Sequence, residues 1–126
     1  MGLFGLFNNK EKKEDAQNAL PWQMLSSLEQ LDQIEMESKV HTVLIFKHST
    51  RCGISRMVLR QFEGAYDEET ADVSLYFLDL LAYREVSNEV AIKFQVLHQS
   101  PQLLVIKNGV AVQHASHYQI TTLNYA

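Results

Sequence analysis

The pair Asn108-Gly109, inside "QLLVIKNGVAVQH", constrains the fold more than any other local feature of the chain. Two strand-like runs meet there, and a two-residue turn needs positive φ at both central positions, which asparagine and glycine accept. An antiparallel hairpin is therefore predicted for the last third of the sequence. Ahead of it the apolar spacing alternates between two periods. Ser26 and Glu29 stand at capping-box spacing while Leu28, Leu31 and Ile34 repeat at helical intervals, which predicts an amphipathic helix over Ser27–Ser38. "VHTVLIF", Val40–Phe46, is short, β-branched and almost continuously apolar, the pattern of a buried strand. After the polar "KHSTR", Ile54, Val58 and Phe62, with Met57 beside them, mark one face of a second helix ending near Gly64. "VSLYFLDL", Val73–Leu80, reads as a strand. In "SNEVAIKFQV" Ser87 is the predicted cap of a third helix and Val90 opens its apolar face. Thr121 is expected to cap a short final helix. The order α, β, α, β, α and then a hairpin describes an α/β domain: a central mixed sheet of about four strands, flanked by helices on both faces.

A chain of 126 residues, 46% of them hydrophobic, encloses one core rather than two. A net charge of −4 argues against nucleic acid as a partner, because a duplex binder needs a basic face to displace counterions. Residues Met1–Leu20 pass abruptly from "MGLFGLF" to "NNKEKKEDAQN" and read as a flexible arm, leaving 21–126 as the folded domain. The apolar tip lacks the charged start and cleavage site of a signal peptide, and Leu6 stands where a myristoylation signal has Ser or Thr. No apolar run reaches the length of a membrane span, so no integral membrane segment is expected. One cysteine makes neither an internal disulfide nor a structural zinc site, and a reducing cytoplasm is the expected location.

That cysteine, Cys52, falls at the seam between a buried strand and a helix, in "STRCGISR". There its sulfur faces the unpaired N–H groups and positive dipole end of the helix, with Lys47, Arg51, Arg56 and Arg60 close in sequence, and the position favours the thiolate. A free cysteine is also commonly a small buried hydrophobe, and spacing alone leaves both readings open. His48, four residues earlier, reads as a solvent-facing loop residue, as does His98. His114 and His117 follow a strand-like run with no further ligand close by, so no metal site is expected. Trp22 and the Met57, Val58, Phe62 stripe are read as core. Pro101 belongs at a strand start because it removes a donor, and a trans Ser100–Pro101 bond is the plain expectation.

Taken together, "FKHSTRC.IS", a helix, a strand, a helix, "H.SPQ" and a hairpin resemble the YtxJ-type monothiol bacilliredoxins, thioredoxin-like proteins of the bacillithiol redox system. The resemblance covers the chain from Pro21 onward. It implies that Cys52 is the redox-active thiol and that Pro101 is a cis-proline bringing Ser100 and Pro101 beside it. The implied reaction is thiol–disulfide exchange: Cys52 takes bacillithiol from a protein mixed disulfide and a second thiol or a reductase regenerates it. Ser55 stands where a dithiol enzyme has its resolving cysteine and is expected to donate a hydrogen bond to the thiolate. Lys47, Arg51 and Arg56 are expected to pair with the carboxylates of bacillithiol, with Gly53, Ser100 and Pro101 completing the substrate site. Partners are then bacillithiolated proteins and the low-molecular-weight thiol itself, which is a co-substrate, with no metal or other cofactor, in a monomer or weak dimer. Gly53 departs from the family, which more often has proline there, and makes "CGIS" similar to the CGFS motif of cluster-binding monothiol glutaredoxins. Two alternatives therefore stand beside the exchange reaction: a glutaredoxin-like role in iron–sulfur handling, and a redox-silent thioredoxin-like stress protein that binds a partner.

Overall fold

A computed structural model describes residues 20–66 and 72–125. In chain order they form strand β1 (Trp22–Met24), helix α1 (Glu29–Glu37), strand β2 (Thr42–His48), helix α2 (Gly53–Ala65), strand β3 (Val73–Asp79), helix α3 (Arg84–Phe94), strands β4 (Gln102–Lys107) and β5 (Val110–Ser116), and a 3-10 helix (His117–Thr122). The strands make one sheet ordered β1-β3-β2-β4-β5. β3 runs parallel to both β1 and β2, whereas β4 is antiparallel to β2 and to β5. The mixed α/β architecture and the antiparallel hairpin are as the sequence predicts, with five strands instead of about four. The added one is β1, an edge strand of three residues. The reading of Met1–Leu20 as an arm lies outside the described residues except at Leu20, which packs against the core.

The nearly unbroken apolar pattern of β2 is explained by its central position, covered on both faces. Val43 and Ile45 point to one face, where Leu31 and Ile34 of α1 and Val86, Val90 and Phe94 of α3 close over them. Leu44 and Phe46 point to the other, against Val58 and Phe62 of α2 and Ile120 of the 3-10 helix. The strand extends two residues beyond its predicted end, and this alternation continues through them. Lys47 falls on the α3 face and His48 on the α2 face, and both are buried. The "KHSTR" interruption therefore begins inside the sheet, and His48 is not the solvent-facing loop residue expected.

Helix termini differ from the predicted caps. Ser26 and Glu29 do not form a box; Gln30 reaches back instead, its Oε1 accepting from the backbone N–H of Ser26 (2.7 Å) and Ser27 (3.0 Å). Ser87 does not cap α3, which starts three residues earlier and buries Ser87 within it. In the turn before α3, Asp79 Oδ1 accepts from the N–H of Leu81 and Ala82. Thr121 lies inside the 3-10 helix rather than capping it. On α2 the inward residues are Ser55, Val58 and Phe62, and Ile54 and Met57 face out. The hairpin turn has φ of 52° at Asn108 and 80° at Gly109. It is pinned to the end of α1, where Ser38 O and Ser38 Oγ accept from Asn108 N and Gly109 N, each at 2.8 Å.

A polar knot joins the end of α1 to β3 and to His41, the residue before β2. Glu37 accepts from Tyr76 Oη at 2.7 Å and from Ser74 Oγ, and pairs with His41 Nε2 at 2.7 Å. Burial alone pushes the Glu37 carboxyl upward, but the hydrogen bonds from Ser74, Tyr76 and His41, together with the His41 charge, outweigh it and hold it below the usual glutamate value. A carboxylate depressed in the folded state contributes stability above its unfolded value, and that contribution is lost as pH falls through the folded one. Glu37→Gln is expected to cost about 1–3 kcal/mol at pH 7. The cost should shrink towards pH 3 in denaturant titrations, since protonation then brings the parent to the same state.

Candidate active site

β2 delivers His48 to the sheet end, residues 49–51 turn outward, and Cys52 becomes the N-cap of α2 with φ −101° and ψ 120°. The turn closes through Cys52 N donating to Ser49 O at 3.2 Å and Arg56 N donating to Cys52 O at 3.1 Å. Cys52 is partly exposed, and its sulfur makes no hydrogen bond among the described residues. The cysteine is thus reachable from solvent at the positive end of a 13-residue helix, where an anion is favoured. It is not packed into the core. Arg51 and Arg56 are exposed on either side of it. The Arg56 guanidinium reaches over the first turn, 4.0 Å from where a Cβ on Gly53 would stand. Nothing else crowds Gly53, so the glycine is not required by space.

Ser55 is fully buried and is engaged with groups other than the thiol. Its Oγ accepts from Ser49 N at 3.2 Å and lies 2.8 Å from His48 Nδ1. The expected hydrogen bond to Cys52 is absent. His48 packs beside the rings of Phe46 and Phe77, at centroid distances of 6.4 and 5.3 Å, and burial lowers its pKa; the Asp79 charge opposes this and the Arg56 charge adds to it. Sequence spacing missed His48 because it looked like the start of a polar loop. The usable signal was the strand alternation through Leu44 and Phe46.

Lys47 is the largest departure from the expected site. It has no exposed surface, and its ammonium lies beneath α3, donating to Ser87 O at 3.1 Å and His98 Nδ1 at 3.2 Å. Facing away from α2 and buried, it does not present a charge to a carboxylate ligand. Burial lowers its pKa to about 8. His98, which was read as a free loop residue, is held below the usual histidine value by burial and by the Lys47 and Arg84 charges. A base depressed in the folded state carries its full burial penalty while both states are protonated, below about pH 8, and sheds it as pH rises towards the unfolded value. Lys47→Met is therefore expected to stabilise the fold by about 1–3 kcal/mol at pH 7. In denaturant titrations its advantage over the parent should vanish near pH 10.

On the far side of Cys52, Lys47 pairs with Gln102 in the β2–β4 ladder, so Pro101 comes opposite His48 at the same sheet end as the cysteine turn. The Ser100–Pro101 bond is cis, not the plain trans expectation, and Pro101 O accepts from His117 N at 3.0 Å. Ser100 Oγ and Gln102 Oε1 are buried there without a partner among the described residues. The chain segments carrying Cys52, Ser55, Ser100 and Pro101 therefore meet at one end of the sheet, flanked by Arg51 and Arg56. Among the described residues no cluster of His, Cys, Asp or Glu could hold a metal, and no helix is long and apolar enough to cross a membrane.

Comparison with known proteins adds to this geometry. A solved protein described as "A putative oxidoreductase with a thioredoxin fold" is 32% identical, covering 80% of this chain and 88% of its own, with a TM-score of 0.68. Thioredoxins from Fasciola hepatica (22% identity, 79% and 90% covered, TM-score 0.62) and Malassezia sympodialis (22%, 75% and 77%, TM-score 0.61) share the fold. The family model described as "Monothiol bacilliredoxin BrxC" matches residues 23–124, a span that contains every element from β2 to the 3-10 helix and the single cysteine. A thioredoxin fold with one partly exposed thiol at a helix N-terminus is built for redox chemistry, and the chain belongs to the monothiol bacilliredoxin family.

Proposed function

We propose that this protein removes bacillithiol from protein mixed disulfides, with Cys52 as the nucleophile. The observation that carries the reading is the placement of the only cysteine, partly exposed at the N-cap of α2 in a chain matched by the monothiol bacilliredoxin family. In the first step the Cys52 thiolate attacks the bacillithiol sulfur of the mixed disulfide. A Cys52–bacillithiol disulfide forms, and the substrate's own sulfur leaves as a thiolate that takes a proton from water. With Ser55 where a second thiol would be needed, the bound bacillithiol leaves only when a further thiolate, from bacillithiol or a reductase, attacks it and restores Cys52. Arg51 and Arg56 are the cations placed to meet the carboxylates of bacillithiol. Lys47 has no part in that contact. No metal enters the cycle, and cytoplasmic proteins carrying bacillithiol are the substrates.

The test is incubation with a bacillithiolated model protein, read by intact-mass spectrometry. Transfer of one bacillithiol to Cys52 supports the proposal, and a substrate that keeps its adduct while Cys52 stays unmodified contradicts it. A brown, cluster-bearing protein after anaerobic purification would favour the glutaredoxin-like role instead.

A further inference from the structure

The segment between α3 and β4 carries the most exposed large apolar side chain among the described residues, Leu97, at 86%. A single exposed leucine is ordinary on a free loop. Leu97 is not on a free loop. Gln95 closes α3 in the left-handed conformation, with φ 58°, and Val96 turns inward to join the core under that helix. The Leu97 carbonyl accepts from Gln102 Nε2 at 2.9 Å. One residue on, His98 Nδ1 accepts from the Lys47 ammonium at 3.2 Å, and the same ammonium donates to Ser87 O at 3.1 Å. Lys47 and Gln102 stand opposite one another on β2 and β4, and both are buried. Buried side chains thus grip the chain at Leu97 and on both sides of it. Taking an ammonium out of water is unfavourable, and the stability expected to be gained in Lys47→Met is what the fold forgoes for this tether.

We propose that Leu97 is a docking anchor for the protein half of the mixed disulfide, taking an apolar side chain beside the modified cysteine, and that Lys47 and Gln102 are positioning residues holding it there. The proposal rests on the exchange reaction proposed above. Leu97 and Ile92, which is 64% exposed, share a groove of about 410 Å³ lined also by Ala91, Gln95, Val96 and His98. The groove lies on the α3 side of the sheet, away from α2 and its arginines. Leu97 nevertheless stays near the thiol end, because the segment runs straight on to the cis Ser100–Pro101 bond and four residues reach at most about 14 Å. A standard interface buries about 800 Å² per partner, a patch roughly 30 Å across, wide enough to take in both the Cys52 turn and Leu97. A protein joined to Cys52 is therefore the occupant that meets this anchor. An anchor already held in place loses little freedom on docking.

The test loads Cys52 of the full chain from two donors: a bacillithiolated model protein with an apolar residue beside the modified cysteine, and the symmetrical disulfide of bacillithiol. Both leave the same adduct on Cys52, the first releasing a protein thiolate and the second a bacillithiol thiolate. Leu97→Ser, a change at an exposed position, is expected to lower the second-order rate constant from the protein donor about tenfold relative to that from the small disulfide. Lys47→Met should lower the same ratio roughly threefold, with Cys52 alkylation as in the parent. A ratio unchanged in Leu97→Ser overturns the anchor, whether both rates hold or both fall together. A ratio unchanged in Lys47→Met overturns the tether. A parent that sediments as a dimer, and becomes monomeric in Leu97→Ser, gives the anchor to a second copy of the chain and also overturns the proposal. A parent that accepts bacillithiol from neither donor refutes the exchange reaction and the anchor with it, so the two failures are told apart.

Discussion

Cys52→Ser is expected to abolish disulfide exchange completely while leaving the fold intact or slightly more stable. The loss follows from chemistry: the chain has no other thiol, and a serine hydroxyl is neither ionised nor nucleophilic enough to displace a disulfide sulfur. The gain follows from position. Cys52 is the N-cap of α2 but makes no side-chain capping hydrogen bond, and serine is among the preferred N-cap residues. An increase of about 0.5–1 kcal/mol in unfolding free energy is expected. Measuring exchange with a bacillithiolated protein beside denaturant unfolding separates the two effects. Retained function in Cys52→Ser would instead place this protein among redox-silent binding modules.

Phe62→Ala is expected to produce the largest loss of stability. Phe62 is 3% exposed and its ring lies 5.7 Å from Phe46, 5.8 Å from both Trp22 and Tyr66, and 6.0 Å from Tyr125. It joins β1, β2, the C-terminal end of α2 and the residues after the 3-10 helix in one aromatic cluster. Removing it takes away its burial and leaves a cavity that rings anchored to several elements cannot collapse into, at a cost of about 3–5 kcal/mol. Thermal unfolding should then fall by roughly 10–20 °C.

The architecture was legible wherever a period repeated long enough to show. The hairpin was fixed by two residues, because Asn108 and Gly109 adopt the positive φ that few others accept. β2 and β3 showed as apolar runs because helices cover both faces of β2. β1 was missed because three residues are too short for any period. The polar residues near the thiol were the hardest to place. Lys47 and His48 look like the start of a loop, and their burial depends on partners 40 and 7 residues away, Ser87 O and Ser55 Oγ. Polar burial is decided by those partners, and no local spacing contains them. The helix starts were misplaced for a related reason: Gln30 and Asp79 supply acceptors that the expected cap serines do not. Cys52 was legible as a seam residue, and its partial exposure sets it apart from a core thiol. Ser55 was expected, from the resemblance, to donate to the thiolate; its Oγ instead meets Ser49 N and His48 Nδ1, contacts that its spacing to Cys52 does not contain.

The most direct measurement is alkylation of Cys52 across pH in the native protein, followed by mass spectrometry after incubation with a bacillithiolated model protein. The account predicts that native Cys52 alkylates without denaturant, as its partial exposure allows, and that it gains the mass of one bacillithiol as the substrate loses it. A Cys52 that alkylates only in denaturant, beside a substrate that keeps its adduct, contradicts it.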